Sequence, residues 1–258
     1  MLVDTHCHLD ALRLDKFDGE LPDVLALARE RGIGKFLTIS TGLKNIEPVK
    51  QIAAEHKDVY CSVGIHPLDV GDGTATCDEL IAMAEAPKVV ALGETGLDYY
   101  YSKDTVEVQQ ESFRAHLEAG KRTKLPVIVH TRDARDDTLR LLREHADPES
   151  AGVLHCFTET WEMAQAALDL NFYISISGIV TFRNAESLRD VVRKLPLERL
   201  LVETDSPYLA PVPYRGKANI PAYVKEVAEF VAELRGLSPE ALAEITTENF
   251  HRLFPRAQ

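Results

Sequence analysis

Two histidines stand one residue apart, at positions 6 and 8, where the apolar run that opens the chain ends. Residues i and i+2 of an extended strand point to the same face, so the imidazoles of His6 and His8 can reach one cation. The competing interpretation is a pair of histidines on a solvated strand face. The rest of the sequence favours the cation, because more side chains of the same chemistry follow later apolar runs.

Four further residues with metal-binding side chains stand where other apolar runs end: Glu94, His130, His155 and Asp205. Each one alone is more often a hydrogen-bonded core residue or a turn residue. Burying all of them together without a cation would leave charges and ring nitrogens unsatisfied, at a cost of several kcal/mol per unpaired charge. The joint pattern therefore predicts a metal centre.

The size of this ligand set indicates two divalent ions, since one tetrahedral or five-coordinate ion needs only about three protein ligands and a water. We assign the ligands as follows: His6, His8 and Asp205 to one ion, His130 and His155 to the other, and Glu94 to both as a bridging carboxylate. A hydroxide held between two such ions would be a nucleophile near neutral pH, and Asp205 would accept the proton of that water. Mg²⁺, Mn²⁺ and Zn²⁺ all suit the donors.

Eight apolar, strand-like runs alternate with amphipathic, helix-like stretches, and no linker or low-complexity segment interrupts them. The runs cover residues 2–7, 35–40, 59–65, 89–93, 126–130, 152–156, 172–177 and 200–204. The helix-like stretches cover residues 21–31, 45–56, 78–86, 106–123, 135–145, 161–170, 185–194 and 222–235, and a last one covers 239–254. This order predicts an α/β fold, a single (β/α)8 TIM-type barrel with an additional C-terminal helix, in one domain of residues 1–258.

In such a barrel the active site forms at the carboxyl ends of the strands, where all six candidate ligands are expected. A doubly wound open sheet is the competing fold. It would have fewer strands and often a glycine-rich phosphate loop after the first one, and this chain has His-Leu-Asp-Ala-Leu there.

Four residues near the same end are candidates for binding an anionic substrate: His66, Arg132, Arg215 and Lys217. His66 either donates a hydrogen bond to a phosphate or orders the turn that follows it. Arg132 has the strand parity of His130 and can bind phosphate in a fork, or else it pairs with Asp133. Arg215 and Lys217 lie in a proline-rich loop after the eighth run, where surface solvation explains them almost as well.

Composition sets the broad class of the protein. With 258 residues, 45% apolar and 27% charged, the chain is typical of a globular protein. It has no apolar window of about 18 residues and no secretory signal, so we expect no membrane span and a cytoplasmic location. The four cysteines form no CxxC pair and are expected to be reduced. The net charge of −12 argues against a protein that coats nucleic acid, but permits a cleft in which metal ions attract a polyanion.

Six segments, in this order, resemble the TatD family of metal-dependent deoxyribonucleases in the amidohydrolase-like superfamily. They are Val3-Asp-Thr-His-Cys-His-Leu-Asp, Ser62-Val-Gly-Ile-His-Pro, Gly93-Glu-Thr-Gly-Leu-Asp-Tyr-Tyr, Pro126-Val-Ile-Val-His-Thr-Arg-Asp, Gly152-Val-Leu-His-Cys-Phe and Leu201-Val-Glu-Thr-Asp-Ser-Pro-Tyr-Leu. The resemblance implies that the six candidate ligands bind divalent metal ions. It also implies hydrolysis of DNA phosphodiester bonds, often as a 3′ to 5′ exonuclease, with DNA held in a cleft. Many related amidohydrolases bridge their metal ions with a carbamylated lysine. This chain has Glu94 at that place, which fits the TatD subgroup.

Three functions stay open at this point. The first is a dimetal nuclease that acts on DNA ends, with both ions on the scissile phosphate and the hydroxide attacking in line with the leaving 3′ oxygen. The second is a dimetal hydrolase of small amides, lactones or phosphoesters, since one barrel supports many chemistries. The third is a binding protein with an inactive metal site. We expect no obligate protein partner.

Overall fold

The structure is a computed structural model that describes residues 1–17 and 19–257. One eight-stranded sheet has its strands in chain order, and every neighbouring pair is parallel. The strands are β1 Leu2–Cys7, β2 Ile33–Thr38, β3 Val59–Val63, β4 Val89–Asp98, β5 Val127–Arg132, β6 Gly152–Leu154, β7 Tyr173–Ile176 and β8 Leu200–Val202. The sheet is rolled into a barrel inside a layer of helices, so the TIM-type prediction is confirmed.

The helices follow the strands as expected. They are α1 Leu21–Glu30, α2 Ile46–Glu55, α3 Cys77–Met83, α4 Val106–Thr123, α5 Arg135–His145, α6 Trp161–Asp169, α7 Glu186–Lys194, α8 Val224–Arg235 and α9 Pro239–Leu253. At the start of α9 the Ser238 hydroxyl accepts a hydrogen bond from the Ala241 amide, and Pro239 occupies the first helical position. No helix in the described part of the chain is both long and apolar enough to cross a membrane.

The additional helix α9 covers the amino-terminal end of the barrel. Its Phe250 and the following Phe254 pack in one apolar cluster with strand residues such as Val3 and Leu201. Asn249 donates a hydrogen bond to the Leu200 carbonyl, at the first residue of β8. With this end covered by apolar packing, the carboxyl end is the face on which polar strand-end residues can meet a ligand.

The barrel closes between β1 and the segment that follows β8. The Asp205 amide donates to the His6 carbonyl at 2.9 Å, and the His8 amide donates to the Ser206 carbonyl at 2.7 Å. Cys7 and Ser206 form an isolated parallel bridge at the same place. The seam of the barrel therefore runs between residues predicted to bind metal.

A buried carboxylate supports this seam from below. Asp4 on β1 accepts hydrogen bonds from the Thr204 amide at 2.9 Å and from the Thr204 hydroxyl at 2.6 Å. Burial raises the pKa of Asp4 to about 8, against the lowering effect of these hydrogen bonds. Asp4 thus fixes the residue directly before Asp205.

Candidate metal centre

The four predicted histidine ligands converge on the Glu94 carboxylate at the carboxyl end of the barrel. Oε2 of Glu94 lies 3.4 Å from Nε2 of His6 and 4.0 Å from Nε2 of His8. Oε1 lies 2.6 Å from Nε2 of His155 and 3.3 Å from Nδ1 of His130. The two oxygens of one carboxylate therefore face two separate pairs of imidazoles.

Asp205 completes the group on the Oε2 side. Its Oδ1 lies 3.3 Å from Nε2 of His8 and 3.7 Å from Nε2 of His6, and a ligand atom from each of these three residues lies within 4.8 Å of the others. The Asp205 side chain is 13% exposed, whereas that of Glu94 is 4% exposed. Asp205 is thus the carboxylate of the centre that is more open to the cleft.

Unpaired nitrogens at the centre show that a cation fits these residues. Both ring nitrogens of His6 and Nε2 of His155 are buried without a hydrogen-bond partner among the described residues. A buried polar atom left unpaired costs about 1–3 kcal/mol, which a bound cation would offset. In addition, Nε2 of His155 lies 2.6 Å from Oε1 of Glu94, a separation at which a nitrogen lone pair would be repelled by the carboxylate unless a proton or a cation lies between the two atoms.

Two further carboxylates orient the histidines on the Oε1 side. Nε2 of His130 lies 3.2 Å from Oδ2 of Asp98, and Nδ1 of His155 lies 3.4 Å from Oε1 of Glu203. With those nitrogens donating to carboxylates, each ring turns toward Glu94 the nitrogen that would bind a metal ion. Asp98 lies at the end of β4, four residues after Glu94, and its strand parity with Glu94 was the available sequence signal for this role.

Without a cation, protons on the histidines offset the negative charge of the carboxylates at the centre. Burial raises the pKa of Glu94, but the neighbouring His155 and His130 outweigh it and hold that pKa well below its usual range. Burial lowers the pKa of His155, but Glu94 and Glu203 outweigh it and raise that pKa well above its usual range. Metal binding is therefore expected to release protons from the histidines.

His66 also reaches this centre, with Nε2 3.4 Å from Oε1 of Glu94. A ligand atom from each of His66, Glu94 and His130 lies within 4.8 Å of the others. However, Nδ1 of His66 accepts a hydrogen bond from the Leu68 amide at 3.1 Å, so the proton of the neutral ring is on Nε2. Burial lowers the pKa of His66 to about 3, which keeps the ring neutral. His66 thus presents a hydrogen-bond donor to the centre.

A cavity of about 830 Å³ opens above the centre and is lined by His66 and Arg132, two of the four predicted substrate-binding residues. The Arg132 guanidinium lies 4.4 Å and 4.6 Å from the ring centres of Tyr100 and Tyr101. The alternative ion pair with Asp133 does not form in the described part of the chain.

The other two predicted substrate-binding residues lie outside the lining of this cleft. The Arg215 guanidinium packs 4.0 Å from the Phe182 ring centre. Lys217 lines a second, neighbouring cavity. Strand parity predicted where Arg132 points, but it gives no information on the course of the long loop that carries Arg215 and Lys217.

The family described as TatD related DNase matches residues 3–255. The chain belongs to that family. The TatD resemblance in the six sequence segments is thereby confirmed.

Two relatives and one solved structure show the range of the family. An uncharacterized metal-dependent hydrolase, YcfH of Escherichia coli K12, is 54% identical over 253 residues, which are 98% of this chain and 95% of that protein. The 3′-5′ ssDNA/RNA exonuclease TatD of Citrobacter rodentium is 34% identical over 249 residues, 94% of this chain and 95% of that protein. The crystal structure of YjjV, a TatD homologue from Escherichia coli K12, has a TM-score of 0.87 and 30% identity and covers 98% of each chain.

A buried histidine outside the centre supports the segment that carries His66. Nε2 of His116, on α4, accepts a hydrogen bond from the Ile65 amide at 3.2 Å. Nδ1 of His116 donates to the Ser112 carbonyl at 2.7 Å. Burial lowers the pKa of His116 to about 4. The ring is therefore neutral at pH 7 and joins α4 to the residue before His66.

This arrangement predicts an acid-sensitive contribution to stability. The pKa of His116 falls from 6.5 in the unfolded chain to about 4 in the folded protein. The contribution of the neutral ring to the free energy of unfolding is therefore complete above pH 6.5 and is lost as the pH falls toward 4. The loss amounts to about 3 kcal/mol. His116→Gln keeps an acceptor for Ile65 but does not titrate. Urea unfolding of the metal-free proteins should show the wild-type advantage shrinking by about that amount between pH 7 and pH 4; a constant difference would contradict the prediction.

Proposed function

We propose that this metal-dependent hydrolase of the TatD family cleaves DNA phosphodiester bonds from a 3′ end, with the whole chain, residues 1–258, as the catalytic domain. The observation that carries the proposal is the Glu94 carboxylate, whose two oxygens face different pairs of histidines. The 34% identity to a protein named as a 3′-5′ ssDNA/RNA exonuclease supports the choice of substrate.

The donor set suits two divalent ions, Mg²⁺, Mn²⁺ or Zn²⁺. The ligands would be His6, His8 and Asp205 for one ion, His130 and His155 for the other, and Glu94 for both. When bound, such ions would neutralise charge on the phosphate and supply a bridging hydroxide nucleophile near neutral pH. All the other contributions come from the side chains around the cleft.

Asp205 would serve as the general base. Burial raises its pKa, but the hydrogen bond from His8 and the nearby His6 outweigh that effect, and the pKa lies below its usual value. The carboxylate is therefore ionised and can accept a proton from an attacking water in the cleft. Its partial exposure leaves room for that water.

Two side chains would hold the phosphate. The neutral His66 donates from Nε2, which suits a non-bridging phosphate oxygen, and it lies on the Glu94 side of the cleft. Arg132, held over two tyrosine rings at the mouth of the cleft, has a guanidinium that suits the phosphate of the next nucleotide. A cavity of about 830 Å³ is large enough for a terminal nucleotide.

The test is a cleavage assay on end-labelled single-stranded DNA, with protein loaded with Mg²⁺, Mn²⁺ or Zn²⁺. A strand labelled at its 5′ end should give a ladder of successively shorter products, and a strand labelled at its 3′ end should release the label as mononucleotide at once. A panel of lactones and amides is assayed in parallel. Turnover of a lactone or amide, with no DNA cleavage under any metal, would reject the nuclease and favour a hydrolase of small molecules.

Metal removal gives a prediction that does not depend on the substrate. An ion at 100 times its dissociation constant stabilises the folded state by about 2.7 kcal/mol, so chelation should lower Tm by about 5–10 °C. Differential scanning calorimetry before and after chelation measures this shift, and added Mn²⁺ or Zn²⁺ should restore the original Tm. An unchanged Tm in protein shown to be free of metal would argue against a centre that binds ions in the folded state.

A further inference from the structure

A second cavity, of about 580 Å³, lies beside the catalytic cleft. Its walls come from the segment after β1, with Arg13, Lys16 and Phe17, and from the loop after β8, with Lys217. Pro207 lines this cavity and the next residue, Tyr208, lines the cleft. The two cavities are therefore neighbours on the carboxyl face of the barrel, on either side of one short stretch of chain.

The charge of this second cavity is opposite to that of the chain as a whole. Three cationic residues line it, and no acidic residue is among its described lining, although the net charge of the chain is −12. Arg13 and Lys16 share one carboxylate, Asp15, at 3.2 Å and 3.5 Å. Lys217 has no ion pair with any residue that the structure describes. The cavity thus keeps net positive charge available for an anion.

One wall of the cavity includes Tyr223, whose ring is held in an aromatic stack. The Tyr223 ring lies parallel to the Tyr214 ring, with centroids 3.8 Å apart, and the Arg31 guanidinium lies 6.0 Å from the Tyr223 centroid. Because the stack occupies the facing sides of both rings, Tyr214 cannot use that side to stack on a nucleobase. The groups of this cavity that can bind an anion are its cations, which suit a phosphate.

We propose that this second cavity binds the phosphate backbone of a nucleic-acid strand whose end lies in the catalytic cleft. The inference rests on the proposed function. Arg13 and Lys16 exchange their shared carboxylate for strand phosphates, and Lys217 adds a third contact. A strand that crosses the wall at Tyr208 reaches both cavities, whereas a single mononucleotide fills one.

The experiment measures binding, so that it stays separate from cleavage. Metal-loaded protein is titrated against a fluorescent phosphorothioate single strand of about ten nucleotides, and the anisotropy is followed at several salt concentrations. The double variant Arg13→Ala/Lys16→Ala should bind about tenfold more weakly. The slope of log Kd against log salt should fall by about 1.4, since each lost phosphate contact on a single strand removes about 0.7.

Matched variants separate charge at this cavity from charge in general. Lys121→Ala/Arg143→Ala removes one lysine and one arginine from exposed positions near the ends of α4 and α5, outside both cavities, and should keep the wild-type affinity and salt slope. Arg13→Lys/Lys16→Arg keeps both charges and should also keep the slope. A smaller slope of log Kd against log salt than in the wild type, in either control pair, would count against the proposal.

The outcomes also distinguish the source of the phosphate. Unchanged affinity and slope in Arg13→Ala/Lys16→Ala would overturn the proposal. If Arg13→Ala/Lys16→Ala binds dAMP more weakly than the wild type but binds the strand equally well, this cavity is a mononucleotide site. That result would overturn the proposal as well. If the wild type fails to cleave DNA, the proposed function is rejected, but the binding titration still decides whether this cavity holds a strand.

Discussion

Asp205→Asn is expected to lower kcat on DNA by about 10²–10⁴-fold at saturating metal, the range that general acid–base catalysis contributes. Asparagine has nearly the same size as aspartate and keeps an oxygen toward His8, but it cannot accept the proton of an attacking water. Asp205 is also a proposed ligand, so the affinity for one ion should fall too. Measuring kcat across a metal titration separates the two effects, because weaker metal binding alone is overcome at high metal concentration.

The matched control is Asp169→Asn, a change of the same kind at the exposed carboxyl end of α6. It should leave both kcat and the metal titration at their wild-type values. Turnover of Asp205→Asn within a few fold of wild type, at full metal occupancy, would show that Asp205 is a ligand and that another group accepts the proton.

Glu94→Gln is expected to lose more bound metal than Asp205→Asn does. The substitution removes the one carboxylate that both histidine groups face, and it puts an amide beside the raised-pKa imidazole of His155. We expect metal content, measured by elemental analysis, to fall by at least half. The proposed metal ions would contribute several kcal/mol of transition-state stabilisation, so kcat/KM should fall by about 10³-fold or more.

Glu85→Gln provides the control, since Glu85 is exposed and lies just after α3. It should keep the wild-type metal content. The circular dichroism spectrum of Glu94→Gln should match that of the wild type, so that loss of metal is not confused with loss of fold. Two ions retained in folded Glu94→Gln would contradict the bridging role.

The sequence predicts the barrel and the convergence of the ligands for a clear physical reason. Parallel strands buried on both faces appear as continuous apolar runs, and the point where a run stops is the carboxyl end of a strand. His6, Glu94 and His130 lie on strands, where parity fixes the direction of each side chain. Their meeting in space follows from barrel geometry alone.

Strand parity does not predict the position of Asp205 at the centre. β8 ends at Val202, and Asp205 has a φ of +57°, in the left-handed region, so it lies in a turn rather than on a strand. His155 likewise follows β6, which ends at Leu154. The backbone of the barrel seam, not strand alternation, holds Asp205 in place, and such non-local hydrogen bonds leave no local sequence signal.

The residues that surround the ligands were harder to predict. Asp4 and Asp98 have the parity of His6 and Glu94, but their partners, Thr204 and His130, come from distant segments. Arg215 and Lys217 depend on the course of an irregular loop, for which no periodic pattern exists. A single sequence therefore indicates which side chains can do chemistry more readily than which side chains support them.

The position of the barrel seam has a consequence for the order in which the protein matures. During translation the ribosome releases His6 and His8 long before Asp205 and Ser206, so the hydrogen bonds that join the two segments form only after all eight strands have emerged. A nascent polypeptide that stops short of this point lacks one proposed ligand, Asp205, and the closing contact of the barrel. Under the proposed function, hydrolysis of nucleic acid would therefore begin only in copies that include β8 and the residues that follow it.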